Sequence, residues 1–444
     1  MQKNLTDGNP FKILIKFSVP YLLSCFLQTL YGLADLFIAG QFNGAEVISA
    51  VSVGSQIMHM LTVMVVGLAM GATVRIGKEV GAEDKKGMNK TVGNTVTLFL
   101  ALSVILTVGL LALTEKIVHI MSTPKEAVEQ TVLYLRVCFM GIPFITAYNI
   151  ISSVLRGMGD SKSPMWFVAI ACVANILLDY LFVGAFGMKA EGAAIATVLA
   201  QTLSVLLALL YIAKSRHGIK LEKRDFVPEK STMSDILKVG VPVCFQDGFI
   251  QISFILITII ANRRGVEIAA AVGIVEKIIC FLFLVPSAML SSVSAVAAQN
   301  IGAGKPKRAK QTLLHALLIA VASGVVFTVI CEFLAYPILS MFTDEHSVAV
   351  FGSQYLKAYV LDCIAAGIHF CFSGYFCALG RSMVSFFHNI ASILLVRVPG
   401  AYFAALLFPD NLFPMGLAAP LGSLLSAIIC IAVYIYINKK TSVV

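Results

Sequence analysis

Twelve apolar runs constrain this chain more than any other feature, at about 12–39, 46–74, 91–113, 131–155, 164–185, 192–213, 235–260, 267–298, 312–334, 355–379, 385–408 and 416–438. A helix of ~20 apolar residues crosses ~30 Å of hydrocarbon, and each run reaches that length. Inside lipid a backbone must satisfy its own hydrogen bonds, so single runs of this kind cross as helices. Charged residues make up 13% of the chain, about half the ~25% of a soluble protein. The predicted class is an all-α membrane protein of twelve transmembrane helices. The first apolar run is too long for a cleavable signal peptide and has no small-residue cleavage site. All ten cysteines (25, 138, 172, 244, 280, 331, 363, 371, 377 and 430) fall in or beside apolar runs without paired loop spacing. They read as small packing residues, not as disulfides or metal ligands.

Loop charge sets the orientation. With the N-terminus inside, the cytoplasmic segments hold 23 Lys and Arg and the outer loops five (Lys116, Lys125, Lys189, Arg263 and Arg264). The positive-inside bias then predicts that both termini lie in the cytoplasm. The net charge of +9 is accounted for by these loops and needs no nucleic-acid partner.

The two halves are copies. GAEDKKGMNKT at 81–91 matches GAGKPKRAKQT at 302–312, and YLR at 134–136 matches YLK at 355–357. Gly159 and Ser161 match Gly380 and Ser382 at the same offset of 221, which drifts to 222 at Pro20 and Pro242. One constant offset over so many positions indicates internal duplication. Each copy has an even number of helices, so both keep one orientation, related by an axis along the membrane normal with a cleft between two bundles. The expected domains are an N-terminal six-helix lobe at 1–213, a cytoplasmic linker at 214–234 and a C-terminal six-helix lobe at 235–444.

Carboxylates inside lipid are costly and mark functional sites. Asp35 stands five residues before Gly40, and Asp179 five before Gly184. Both therefore lie about 7–8 Å below their helix ends at ~1.5 Å per residue. Asn175 is one turn below Asp179 on the same face, and Thr197 lies five residues into the sixth run from Gly192. The plain reading makes each a separate structural polar residue. The matched depth of two acids instead points to a shared cation or proton site, since two close carboxylates in a poorly solvated place cannot both ionise easily. Oxygen ligands suit a hard cation, so Na+ and H+ both remain open.

The second half does not repeat these acids. Its polar candidates are Asp247, Gln251, Glu276, His369 and Arg397, with Lys277, Asp362 and His388 nearby in sequence. Arg397 falls near the middle of the eleventh run, where Asn175 maps. A guanidinium in hydrocarbon needs a counter-ion, and Asp247 or Glu276 is the expected partner. Structural pairing and substrate contact are both open for it. Prolines 20, 143, 242, 286 and 399 interrupt runs and can each free a carbonyl or permit a bend. No GxxxxGK[ST], HExxH, GxSxG, aspartate-rich diphosphate motif or filter repeat occurs, so nothing points to an ATP-driven pump, an enzyme or a channel.

Four stretches carry a resemblance: ADLFIAGQFNGAEVISAVSV after the first run, LRGMGDSKSP between the fourth and fifth, NILLDYLFVG, and EGAAIAT opening the sixth. With the twelve-helix duplication, they resemble the multidrug and toxic compound extrusion family over essentially the whole chain. The resemblance implies exchange of external Na+ or H+ for cytoplasmic organic compounds, mostly cationic or amphipathic. It also implies an N-lobe site of Asp35, Asn175, Asp179 and Thr197, with Na+ possible as its metal. The branch with a glutamate on the seventh helix differs, because FQDGFIQ here offers Asp247 and Gln251, so a C-lobe sodium site does not carry over. The resulting expectation is a monomeric, cation-coupled antiporter of drugs or organic cations in the cytoplasmic membrane. It has no enzymatic activity, no cofactor beyond the coupling ion, lipid as its surroundings and no nucleic acid. A lipid-linked oligosaccharide flippase of the same superfamily is the alternative, and would call for a more cationic cleft.

Overall fold

A computed structural model describes residues 5–121, 123–214 and 221–441, with side chains to 439. Part of the expected 214–234 linker, 215–220, lies outside the described residues. The described chain begins α1 (Pro10–Phe42), α2 (Ala45–Gly81), α3 (Lys85–Ile120), α4 (Val128–Met140), α5 (Ile142–Gly157), α6 (Lys162–Asp179) and α7 (Ala190–Lys214). It continues with α8 (Lys230–Asn262), α9 (Val266–Leu282), α10 (Leu284–Gly302), α11 (Pro306–Ser340) and α12 (His346–Tyr359). The last are α13 (Asp362–Leu379), α14 (Ser382–Ser392), α15 (Val398–Leu407) and α16 (Phe413–Thr441). Among the described residues eleven spans are long and apolar enough to cross a membrane, or twelve when the bent α4–α5 pair counts as one. The all-α membrane class and its span number follow the hydropathy pattern.

Several spans are jointed. The α4–α5 pair bends by 49° at Gly141, ahead of Pro143. A Cβ on Gly141 would stand 2.4 Å from Val198 Cγ2, so the joint lets α7 pass close by. Pro286 and Pro399 fall in the first turns of α10 and α15, where the missing N–H is tolerated. Pro20 and Pro242 lie inside α1 and α8; the Ser24 hydroxyl donates to the Pro20 carbonyl at 3.0 Å. Three joints contain no proline. The tenth span breaks at Val360–Leu361, with Cys363 N donating to Val360 O at 2.9 Å. α6 runs directly into a π-helical turn, Tyr180–Ala185, and α14 into another, Ile393–Arg397.

Two compact units divide the chain, one of Lys16–Gly240 and the other of Thr6–Ile15 with the chain from Val241. In the first, small residues let helices approach closely, as membrane packing favours. A Cβ on Gly54 would fall 2.2 Å from the Tyr134 ring, and one on Gly71 2.0 Å from the Ile236 carbonyl. The described end of the linker is tied down here as well. Asn94 Nδ2 donates to the Asp225 and Val227 carbonyls at 3.1 and 3.3 Å, and Glu229 N donates to Asn94 Oδ1 at 2.7 Å. Gly93 gives the segment room, since a Cβ there would meet Asp225 O at 2.3 Å. In the second unit Gly374 backs onto the Leu290 carbonyl, and the core gathers around Val272, Val275, Tyr355 and Tyr359. All ten cysteines are free thiols and seven are buried.

Candidate cation site in the first helical unit

Three helices bring the polar residues of the first unit together. α1 carries Asp35 within two turns of its end, α6 carries Asn175 and Asp179 one turn apart, and α7 carries Thr197. Asp179 is the last residue of regular α-helix before the π-turn at Tyr180; such local widening recurs at functional sites. Asp35, Asn175 and Asp179 are 3%, 1% and 0% exposed. Thr197 Oγ1 donates to Asp35 Oδ2 at 3.0 Å, and the Asp179 and Asn175 side chains lie beside the Asp35 carboxyl. Asp35 Oδ1, both Asp179 oxygens and both amide atoms of Asn175 have no hydrogen-bond partner outside this cluster. Among the described residues no lysine, arginine or histidine stands as a charged neighbour of either acid.

Buried polar atoms are nearly always paired, so five without an outside partner around two acids mark a place built for something that completes them. Two carboxylates, an amide oxygen and a hydroxyl form a hard oxygen set, suited to an alkali cation or a proton. Among the described residues no three His, Cys, Asp or Glu side chains converge as a metal site.

A second layer of this site is absent from the sequence reading. Gln201 Nε2 donates to Tyr31 Oη at 2.9 Å, and Tyr134 Oη pairs with Ser55 Oγ at 3.1 Å. Tyr31 and Tyr134 are both electrostatic neighbours of Asp35. Tyr31 lies one turn before Asp35 and Gln201 one turn after Thr197, so helical period alone would have found them. No local signal marks Tyr134. Arg156, in the last turn of α5, is 6% exposed, donates to Ser153 Oγ at 2.7 Å, and lies 5.0 Å over the Tyr21 ring.

The second unit scatters its candidates. Asp247 is half-buried on α8 beside Cys244 and Cys377, and Gln251 follows one turn later. Glu276 accepts from Thr258 Oγ1 at 3.0 Å. His369 and His388 are buried edge to face, with ring centroids 5.4 Å apart, and His388 Nε2 pairs with Ser373 Oγ at 3.0 Å. Arg397 is 7% exposed and closes the π-turn Ile393–Arg397.

The expected ion pair of Arg397 with Asp247 or Glu276 does not form: among the described residues no salt bridge reaches it. Its guanidinium donates to Tyr359 Oη and lies over the rings of Phe254 at 4.8 Å and Tyr359 at 5.8 Å. The reason is register. Asp247 stands seven residues before Phe254, about 10 Å along α8 at ~1.5 Å per residue, and Thr258 already engages Glu276. Aromatic faces compensate part of a cation's lost hydration. Asp362, at the start of α13, is the acid with the larger electrostatic influence on Arg397.

Comparison with known proteins places this geometry in context. The family model described as MatE matches residues 20–181 and 242–403, one stretch in each half. The chain is 29% identical to the probable multidrug resistance protein YpnP of Bacillus subtilis (strain 168), over 89% of this chain and 88% of that one. It is 23% identical to the multidrug export protein MepA of Staphylococcus aureus (strain N315), over 94% and 90%. Its fold superposes on a MOP superfamily transporter from Pyrococcus furiosus with a TM-score of 0.90, covering 96% of this chain and 95% of that one at 24% identity.

Proposed function

The chain belongs to the MatE family, and we propose that within it the protein is a cation-coupled antiporter exporting organic cations or drugs. The relatives named for multidrug resistance and export support the substrate class. The single observation that carries the coupling is the pair Asp35–Asp179, buried, with three of its carboxylate oxygens unpartnered from outside the site and no fixed cation beside them. Such a pair favours a bound H+ or Na+, with Asn175 and Thr197 adding neutral oxygens. Filling the site removes net negative charge and lets α1 bend near Pro20, closing the space in which an organic cation sits. Ion loading and substrate holding then compete, as antiport requires. No covalent step is involved.

The membrane is the cytoplasmic one, with both termini inside. The 23-to-5 split of Lys and Arg supports that orientation. A cysteine introduced at Lys223 should accept an impermeant thiol reagent only from the cytoplasmic side, and labelling from outside intact cells would reverse the topology. The function itself is tested by dye efflux from proteoliposomes under imposed Na+ or H+ gradients. Efflux that follows one of these gradients is expected; efflux indifferent to both would refute coupling.

A further inference from the structure

We propose that Arg397 is a tethered cation, which fills in the second helical unit the role that an exchangeable ion takes in the first. The inference rests on the cation-site reading of Asp35 and Asp179, and extends it to the coupling stoichiometry. Duplication makes the comparison direct. Arg397 lies at an offset of 222 from Asn175, on the repeat of the same span, so one copy carries a neutral amide and the other a permanent charge.

The charge balance of the two units differs accordingly. In the first, two buried acids have only each other as charged neighbours. In the second, Asp362 is fully buried, with the Ser423 hydroxyl beside its carboxyl, and among the described residues Arg397 is the charged group that acts on it. Glu276 feels both Lys277 and Arg397. Arg397 is built to stay: its guanidinium is sandwiched toward Phe254 and Tyr359, donates to the Tyr359 hydroxyl, and sits on a π-turn that ends at the residue itself. A guanidinium keeps its charge at any working pH. Asp362 therefore has no call for an ion from solution, and at the repeat-related position the exchangeable ion belongs to the first unit alone. Removing Arg397 would leave the Asp362 carboxylate buried and uncompensated, a state relieved only by taking up Na+ or H+.

The test is cation-dependent stabilisation of the purified full chain in lipid nanodiscs. NaCl is titrated against choline chloride at pH 8, and pH is separately lowered from 8 to 6. A site filled at about tenfold its Kd shifts Tm by on the order of 2 °C. D179N alone should lose the wild-type response, and this arm reports on the first-unit site only. D179N/R397M should regain a response to Na+ or to acid, and D179N/R397M/D362N should lose it again. D179N/R397K, which keeps the charge, should stay silent. If D179N still responds, the first-unit reading fails, and the gain is read instead as the difference between R397M and R397M/D362N. Folded D179N/R397M without a response overturns the proposal, as does a response that persists without Asp362. Should R397M yield no folded protein, R397M/D362N must recover it, because both charges are then gone; failure to recover also overturns the proposal.

Discussion

Replacing Asp179 by asparagine keeps the shape of the first-unit site and removes one of its two charges. A monovalent cation touching a carboxylate oxygen at ~2.4 Å gains about 7 kcal/mol at an effective dielectric of ~20. Most of that is offset by stripping water from the ion. If a fifth survives, about 1.4 kcal/mol is lost on substitution, a factor of ~10 in affinity. Asp179 accepts no hydrogen bond from outside the site and its charged neighbour is Asp35, whose repulsion the substitution relieves, so the variant should fold and insert normally. Asp35→Asn should behave alike, although its amide must also accommodate the Thr197 hydroxyl that now donates to Oδ2. Each variant is expected to lose gradient-driven dye efflux in proteoliposomes at wild-type protein levels, with apparent cation affinity at least tenfold weaker. Wild-type efflux rates from both variants, normally expressed, would refute the coupling site.

Three further outcomes concern the framework that holds the site. Asn94→Ala removes three hydrogen bonds between α3 and the 225–229 segment, worth about 0.5–1.5 kcal/mol each; hydrogen exchange across 222–229 should rise while α3 stays protected, and unchanged exchange would count against the strap. The hydrogen bonds from Lys90 and Thr232 to Glu229 hold its carboxyl below the ordinary carboxylate value of 4.5. That pairing therefore stabilises docking above about pH 4.5 and is lost as pH falls through the lowered value, so Glu229→Gln should flatten the acid loosening of this segment in the same exchange measurement. Gly54→Ala places a methyl 2.2 Å from the Tyr134 ring, an overpacking of about 1–3 kcal/mol; a lowered Tm is expected, with Tyr134→Leu in the same background restoring part of it.

What the sequence determined by itself is whatever the bilayer dictates locally. Span number follows from run length, because lipid leaves a lone apolar run no option but helix. The duplication is written in a constant offset, and the depth of Asp35, Asn175, Asp179 and Thr197 follows from counting residues at a fixed rise per residue. Tyr31 and Gln201 were legible by the same arithmetic, one turn away on the same faces. Tertiary structure decided everything that depends on which helix faces which. Tyr134 reaches Ser55 because Gly54 lets its ring close on α2. Arg156, in the last turn of α5, is buried against Tyr21, which its own sequence neighbourhood does not announce. Arg397 drew an expected acid partner from charge alone, and received a tyrosine hydroxyl and aromatic faces instead, because Asp247 lies too far along α8 and Thr258 engages Glu276. The break at Val360–Leu361 carries no proline to announce it and puts the fully buried Asp362 at the head of α13. The bilayer acts on one span at a time, so it can be read along the chain; the pairing of charges is settled between spans, where sequence separation says nothing about distance.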